Sequence, residues 1–251
     1  MTGEPYREWA CVLPGAVVWS RGAAGGSAGA VTRVLPDGCI DLIHGPTGLL
    51  VAGPDRSAHL VPGTVDGAWV GLRLPPGLAP AVLGVPASEL VDRRVPLAAL
   101  WGDATAAELS ERLAGATTAR AGDVLGVLAR RRLADAADGG PGRIRPDPAL
   151  LRLVGALRHG VAVGRAADAL GVGTRQLHRR SLVAFGYGPK TLARILRLTT
   201  ALDLVRGGRP PAEAAAVAGY ADQPHLSREV RALAGVPLRQ LVGGPAGSSG
   251  A

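Results

Sequence analysis

The chain has 251 residues, of which 47% are hydrophobic, and carries a formal net charge of +8. This length suffices for one large domain or two small ones, each with a hydrophobic core. The absence of an apolar run of roughly 20 residues, of a secretion signal at the N-terminus and of more than two cysteines argues against a membrane-spanning, secreted or disulfide-stabilised protein, and we expect a cytoplasmic one.

Residues 12–75 have the pattern of short β-strands separated by turns. Apolar runs rich in Val, Leu and Ile, such as "AVTRVLPDGCIDLIHG" and "AWVGLRL", are bounded by Gly, Pro or Asp. Several such strands at close spacing predict a small β-barrel or sandwich.

The pattern changes to helices from Pro75 onwards. Runs broken by Pro and Gly predict short helices up to about Gly102, and Asp103 is expected to cap the helix that follows it. A longer helix is predicted over Thr118–Ala137. We therefore assign residues 1–137 to a β-rich sensor or assembly domain with trailing helices.

A segment rich in Gly, Pro and charge, 138–147, predicts a linker between two parts of unequal charge. Residues 1–142 hold 12 Arg and 14 acidic residues, a net charge of −2, whereas residues 143–251 hold 15 Arg, one Lys and six acidic residues, a net charge of +10. A basic part beside a nearly neutral one indicates that the basic part meets a polyanion, although basic surfaces also serve solubility alone.

The basic part contains two copies of one helical pattern, "AADALGVGTRQLHRRSLVAFGYGP" and "AAAVAGYADQPHLSREVRALAGVP". Gly171 matches Gly219, 48 residues later, and Leu177 matches Leu226, 49 residues later. Each copy predicts a helix, a tight turn at the glycine and a second helix. The segment between the copies predicts one long amphipathic helix that ends at Gly207.

The second helix of each copy has an apolar face and a polar one. In the first copy, Leu177 and either Val183 or Ala184 are expected to face inward. In the second copy, Asp222 is expected to cap the helix, and the inward residues are expected to be Leu226, Val230 and Leu233. We assign the two-unit domain to 148–242 and expect the tail, 243–251, to be disordered.

The polar residues on these second helices are candidates for reading DNA. An α-helix fits the major groove, where Arg can form paired hydrogen bonds with guanine and Gln with adenine. The same geometry occurs in all-α domains that bind no DNA, but the repeat and the charge of +10 favour DNA. The candidate DNA-binding residues are Thr174, Arg175, Gln176, His178 and Arg179 in the first copy and Gln223, His225, Ser227 and Arg228 in the second.

Residues 148–241 resemble the DNA-binding module of the AraC/XylS-type transcriptional regulators. The resemblance rests on "LGVGTRQLHRR", "FGYGPK", Arg197 and "AGYADQPHLSREVRALAGVP". It implies seven helices, a rigid connecting helix and two recognition helices in successive major grooves. Matched position by position, it points to Arg175, His178, Arg179, Gln223, Ser227 and Arg228 as DNA contacts.

The chain departs from that family's pattern at three positions. Ser181 stands where the family usually has an apolar aromatic residue, Gly173 replaces the usual Ser cap, and Val230 replaces a second Phe. The N-terminal part resembles a β-rich domain of unknown function that precedes this module in some bacterial regulators, through "VLPDGCIDLIHG", "VAGP" and "LGVPASELVDRRVPL". That likeness names no ligand.

Other chemistry has weaker support. Asp37, Asp41, His44 and His59 could hold a metal but lack a His-x-His spacing, and Cys39 could be a thiol sensor or a buried hydrophobe. No nucleophile elbow, phosphate loop or dinucleotide fingerprint occurs in the sequence. We therefore expect no cofactor, no metal site and no enzymatic activity.

The prediction from the sequence is an α+β protein with a small N-terminal β-barrel or sandwich and a C-terminal all-α domain of two helix-turn-helix units. Its expected function is sequence-specific transcription regulation, as an activator or a repressor, controlled through the N-terminal domain. The alternative is an enzyme-like or thiol-reactive sensor that uses Cys39 or a metal and keeps the DNA module for localisation. The expected partners are double-stranded DNA, RNA polymerase, a small-molecule effector and a second copy of the chain, with no membrane contact.

Overall fold

The computed structural model describes residues 6–22, 31–62, 67–139 and 143–242. Part of the predicted linker, 140–142, and the tail expected to be disordered, 243–251, lie outside these ranges. No helix within them has the length and apolarity that crossing a membrane requires.

The N-terminal part is built on two antiparallel sheets. The strands are β1 (Arg7–Ala10), β2 (Val17–Arg21), β3 (Val31–Val34), β4 (Ile40–Gly45), β5 (Gly48–Ala52), β6 (His59–Pro62), β7 (Trp69–Leu74) and β8 (Arg94–Pro96). Six strands form one sheet in the order β1-β2-β7-β4-β5-β8, while β3 and β6 pair separately. We call the pair β3–β6 the ribbon.

Helices cover one face of the six-stranded sheet. They are α1 (Ala79–Leu83), α2 (Ala98–Trp101), α3 (Asp103–Leu113) and α4 (Thr118–Ala137), with a 3-10 turn at Ala87–Glu89. Alternate strand residues such as Val18, Leu42 and Leu72 are fully buried against Val82 and Leu125 of these helices. The side chains between them point to the opposite face, as the two-residue period of a strand requires.

Three local predictions for this part were wrong. Asp103 is the first helical residue of α3 and not its cap. The N-cap of α3 is Gly102, which has no side chain that could accept from the free N–H groups of the first turn. β8 lies in a stretch predicted as helical, and β1 precedes the region where strands were expected. Both are short edge strands: β8 pairs with β5, and β1 pairs with β2. Each is too short to show a periodic pattern of its own.

Residues 143–242, the described range of the C-terminal part, hold the seven helices that the family resemblance implied. They are α5 (Pro148–Arg158), α6 (Val163–Ala169), α7 (Thr174–Phe185), α8 (Pro189–Arg206), α9 (Pro211–Val217), α10 (Gln223–Ala234) and α11 (Leu238–Val242). The pairs α6–α7 and α9–α10 are the two predicted helix-turn-helix units. The α+β fold, with its β-rich N-terminal part and its two units joined by a long helix, is thereby confirmed.

The connecting helix α8 belongs to the cores of both units. Leu192, Ile195 and Leu196 pack with the first unit, and Leu198 and Leu202 pack with the second. A single helix that contributes buried residues to two cores fixes the units relative to each other, since neither can turn without breaking close packing.

The ribbon joins the N-terminal part to the second unit. Leu35, directly after β3, is 8% exposed and packs in the core of that unit with Leu226 and Val230, and Ala58 packs against this core. The Ala58 N–H donates to the Leu233 carbonyl at 2.7 Å, near the end of α10, where helix carbonyls lack intrahelical partners. The two parts are therefore in direct contact as well as being joined by a linker.

A second contact reaches the first unit. Gly186, which ends α7, has a φ of +84°, and a Cβ there would lie 2.5 Å from Val91 and 3.0 Å from the Ala87 carbonyl oxygen. Glycine is therefore required at this position both by the left-handed backbone and by the close approach of the N-terminal part.

Candidate nucleic-acid interface

The second helices of the two units, α7 and α10, are equivalent along their whole length. Each has 12 residues and ends at a glycine with positive φ. Four pairs of buried residues, each 49 positions apart, occupy the same places: Leu177 and Leu226, Ser181 and Val230, Ala184 and Leu233, Phe185 and Ala234. The predicted repeat is confirmed in three dimensions, and of the two inward candidates in α7 Ala184 is buried whereas Val183 is exposed.

The two units differ in how the recognition helix begins. The Asp222 carboxylate accepts from the His225 N–H at 2.6 Å, which confirms the predicted cap of α10. Gly173 occupies the same position before α7 and provides no side-chain cap. Both turns contain a left-handed glycine, Gly171 with φ +63° and Gly219 with φ +80°, as predicted.

Every predicted DNA-binding residue of α7 is exposed, namely Thr174, Arg175, Gln176, His178 and Arg179. Arg175 and Arg179 lie one helical turn apart, on the side opposite Leu177. Neither forms an ion pair with any part of the chain that the structure describes. The His178 ring lies over Gly188, where a Cβ would come within 2.7 Å of it.

Arg180, unlike its neighbour Arg179, forms an ion pair within the described ranges. Its Nε donates to Asp147 at 2.7 Å, and its Nη2 donates to the same carboxylate oxygen. Asp147 also caps α5. Arg180 thus holds α7 against α5, and Arg179 is left to face outward.

The predicted residues of α10 divide into two groups. Gln223 and Arg228 are exposed, and Ser227 is partly buried. The His225 ring lies edge-on to Tyr220 at 5.2 Å, and its Nδ1 is 3.4 Å from the Ala221 N–H. His225 therefore forms part of the turn, whereas Arg228 matches Arg179 on the open side of the helix.

Two arginines of α8 orient the second unit. Arg194 donates to both carboxylate oxygens of Glu229, at 2.7 and 3.3 Å, which ties α8 to α10. The Arg197 guanidinium lies 4.5 Å from the centre of the Tyr220 ring, an arrangement that favours cation–π attraction. Burial raises the pKa of Tyr220 to about 12, so this ring stays neutral. Family resemblance pointed to Arg197, but no sequence pattern identified the pair Arg194–Glu229.

A cavity of about 360 Å³ separates the outer face of the six-stranded sheet from the ribbon. Trp19 and Trp69 line the cavity on the sheet side, and their indoles lie against glycines of neighbouring strands. A Cβ on Gly71 would lie 2.2 Å from Trp19, and a Cβ on Gly45 would lie 2.3 Å from Trp69. These glycines let the indoles lie close to the sheet, and the Tyr6 ring stacks on Trp19 with the two ring centroids 6.1 Å apart.

Charged groups gather at one end of this cavity around Arg73. Its guanidinium nitrogens lie 2.9 Å from Glu8, 3.4 Å from Asp41 and 3.6 Å from Asp37. The Trp19 Nε1–H donates to Asp41 at 2.7 Å. Burial raises the pKa of Asp41, although Arg73 opposes the shift.

Two of the residues considered as metal ligands, Asp37 and Asp41, instead pair with an arginine. Asp37 and Asp41 flank Arg73, and the ranges that the structure describes contain no group of three or more His, Cys, Asp and Glu residues placed to hold a metal. Cys39 lines the cavity, where burial and then the nearby Asp37 raise the pKa of its thiol. A raised pKa disfavours the reactive thiolate.

Comparison with protein families places both parts of the chain. Residues 166–242 match a family described as a helix-turn-helix domain, which is of the AraC type, and residues 16–96 match a domain of unknown function, DUF6597. The helix-turn-helix match supports a DNA-binding transcription regulator. More particularly, the chain carries a helix-turn-helix domain of the AraC type after a DUF6597 domain.

Solved structures with an overall likeness include those of ToxT from Vibrio cholerae. The unsaturated fatty acid-bound wild-type protein is 9% identical, with a TM-score of 0.43 over 100% of this chain and 94% of the other. ToxT from strain O395 is 10% identical, with a TM-score of 0.42 over 96% and 94%. No curated protein gave a match.

Proposed function

We propose that the chain recognises a specific duplex by placing α7 and α10 in two successive major grooves. The observation that carries the proposal is the pair Arg179 and Arg228. Both are exposed, both lie two residues after the buried leucine of their unit, and neither forms an ion pair within the described ranges. An arginine free to pair with guanine at the same place in two equivalent helices is what two-groove recognition requires.

The remaining candidates have distinct roles in this proposal. Thr174, Arg175 and Gln176 lie in the first turn of α7, the part of a recognition helix that reaches base edges. Gln223 has that place in α10. Ser227 and His178 lie directly before Arg228 and Arg179, and His225 supports recognition by packing on Tyr220 in the turn before α10.

The N-terminal domain controls DNA binding in this proposal, and the ribbon transmits the control. The ribbon forms one wall of the cavity through residues such as Val34 and Val61, and it reaches α10 through Leu35 and Ala58. A ligand that fits the cavity better in one placement of the ribbon therefore favours one placement of α10. Such a difference in ligand affinity between two states is the basis of allosteric control, typically about 1–3 kcal/mol.

The test uses a duplex selected by the full chain from a randomised library, together with a scrambled duplex of the same composition. Fluorescence anisotropy should show that Arg179→Ala and Arg228→Ala each cost about 1–3 kcal/mol on the selected duplex and much less on the scrambled one. Arg130→Ala, an exposed residue of α4, is the control for the loss of one positive charge. Equal losses on both duplexes would mean that the arginines contact phosphates and read no bases.

A further inference from the structure

The cavity beneath the ribbon combines aromatic and aliphatic walls with a charged end. Trp19 and Trp69 lie on the sheet side, Val34 and Val61 lie on the ribbon side, and Leu50 adds a further apolar surface. The Trp69 Nε1 is buried and has no hydrogen-bond partner among the described residues. A volume of about 360 Å³ lies in the range of sites that hold small organic ligands.

The charged end has more carboxylates than cations. Glu8, Asp37 and Asp41 all lie within 3.6 Å of one guanidinium, that of Arg73. Asp37 and Asp41 line the cavity itself. When all three acids are ionised, this cluster carries a net charge of −2, which a bound cation would reduce.

The other two arginines of the cavity, Arg94 and Arg21, do not give it a net positive charge. Arg94 donates to both oxygens of Asp55, at 2.9 and 2.6 Å, so that pair is neutral. Arg21 donates to the Thr32 hydroxyl at 3.1 Å. The arginines and aspartates among the lining residues therefore balance, and Glu8, which contacts Arg73 from outside the lining, brings the net charge to −1. An anionic ligand would meet Arg73 and Arg94 already paired with carboxylates.

We propose that this cavity binds an organic cation with a flat apolar body. The body would lie between the Trp69 indole on the sheet side and the ribbon residues Val34 and Val61, and an amine or guanidine group would lie at Asp37 and Asp41. Indole faces attract cations, and two carboxylates that share one guanidinium are stabilised by an added positive charge. The identity of the ligand class rests on the cavity alone, whereas its effect on DNA rests on the control through the ribbon proposed above.

Isothermal titration calorimetry on the full chain tests this with three probes that share one ring system. They are naphthalen-1-ylmethylammonium, naphthalen-1-ylmethanol and naphthalene-1-carboxylate. The ammonium probe should bind at least about tenfold more tightly than the alcohol, and the carboxylate should bind most weakly. Equal affinities for the three probes, or the tightest binding by the carboxylate, would overturn the proposal.

Variants locate the binding. Asp37→Asn and Asp41→Asn should each weaken binding of the ammonium probe about tenfold and leave the alcohol unaffected. Asp123→Asn, on the exposed face of α4, changes the net charge equally and should change neither. Circular dichroism verifies that each variant folds; if a cavity variant does not, the order of the three probes on the unmodified chain decides.

The same protein preparations are also tested for DNA discrimination without any probe. Discrimination that persists without a preference for the ammonium probe would reject the cation site and leave the DNA-reading function standing. A preference for the ammonium probe without DNA discrimination would reject the DNA-reading function and leave the cation site standing.

Discussion

Asp41 is the residue on which the charge preference of the cavity most depends. Arg73 and Asp37 face it directly, Arg94 acts on it from β8, and the Cys39 thiol lies nearby. Burial outweighs the attraction to Arg73, so the pKa of Asp41 is raised and this carboxyl takes up a proton at a higher pH than an exposed aspartate does.

Binding of the ammonium probe should therefore strengthen as pH rises. The cation favours the ionised carboxylate, so below the raised pKa of Asp41 its binding must first displace a proton, and this cost disappears above that pKa. Calorimetry from about pH 4 to about pH 7 should show rising affinity for the unmodified chain and a flatter profile for Asp41→Asn. An affinity that falls as pH rises would contradict the proposed contact with Asp41.

Single residues also show where sequence reasoning reaches its limit. Arg179 and Arg228 could be predicted, because a leucine two positions earlier fixes which side of the helix is buried. The sequence did not reveal that His225 belongs to the turn, since its partner Tyr220 is placed by the fold of that turn. The contact of Trp19 with Gly71 depends on the strand register, which pairs residues 52 positions apart.

Among the elements, the long helices were the best predicted. α4 and α8 have sustained amphipathic patterns and recognisable ends, and both have the predicted bounds to within a residue or two. β8 has three residues and too little sequence to show a period. The cavity between the six-stranded sheet and the ribbon was not predicted, because it forms between two sheets whose separation no local pattern specifies.

The different starts of the two recognition helices lead to a matched prediction. Asp222→Ala should lower the free energy of unfolding by about 1 kcal/mol, because it removes the side-chain cap of α10. Gly173→Ser should raise it by about 0.5 kcal/mol, since the backbone there is extended, a Cβ would meet no atom within 4 Å, and a hydroxyl could cap α7. Urea denaturation measures both, and a change of the same sign in the two variants would contradict the assigned caps.

At the scale of the whole molecule, the N-terminal domain completes the core of the second unit. Leu35→Ala should therefore lower the free energy of unfolding by about 2 kcal/mol or more, as expected for a leucine that is 8% exposed. Leu60→Ala, on the same ribbon but 51% exposed, is the matched control and should cost less than about 0.5 kcal/mol. Equal effects in urea denaturation would mean that the ribbon does not pack against α10.

This contact also changes what the linker is expected to do. A Gly- and Pro-rich tether alone would transmit no signal between the domains. The contacts of Leu35, Ala58 and Gly186 give each helix-turn-helix unit its own connection to the N-terminal domain. A change in the cavity can therefore reach α10 through packed atoms.

The central claim, that two equivalent helices read two grooves, is tested most directly by methylation interference on the selected duplex, because methylation of guanine N7 blocks contacts in the major groove. We expect two patches of interference about one helical turn apart, with Arg179→Ala abolishing one patch and Arg228→Ala abolishing the other. A single patch, or the loss of the same patch in both variants, would contradict it.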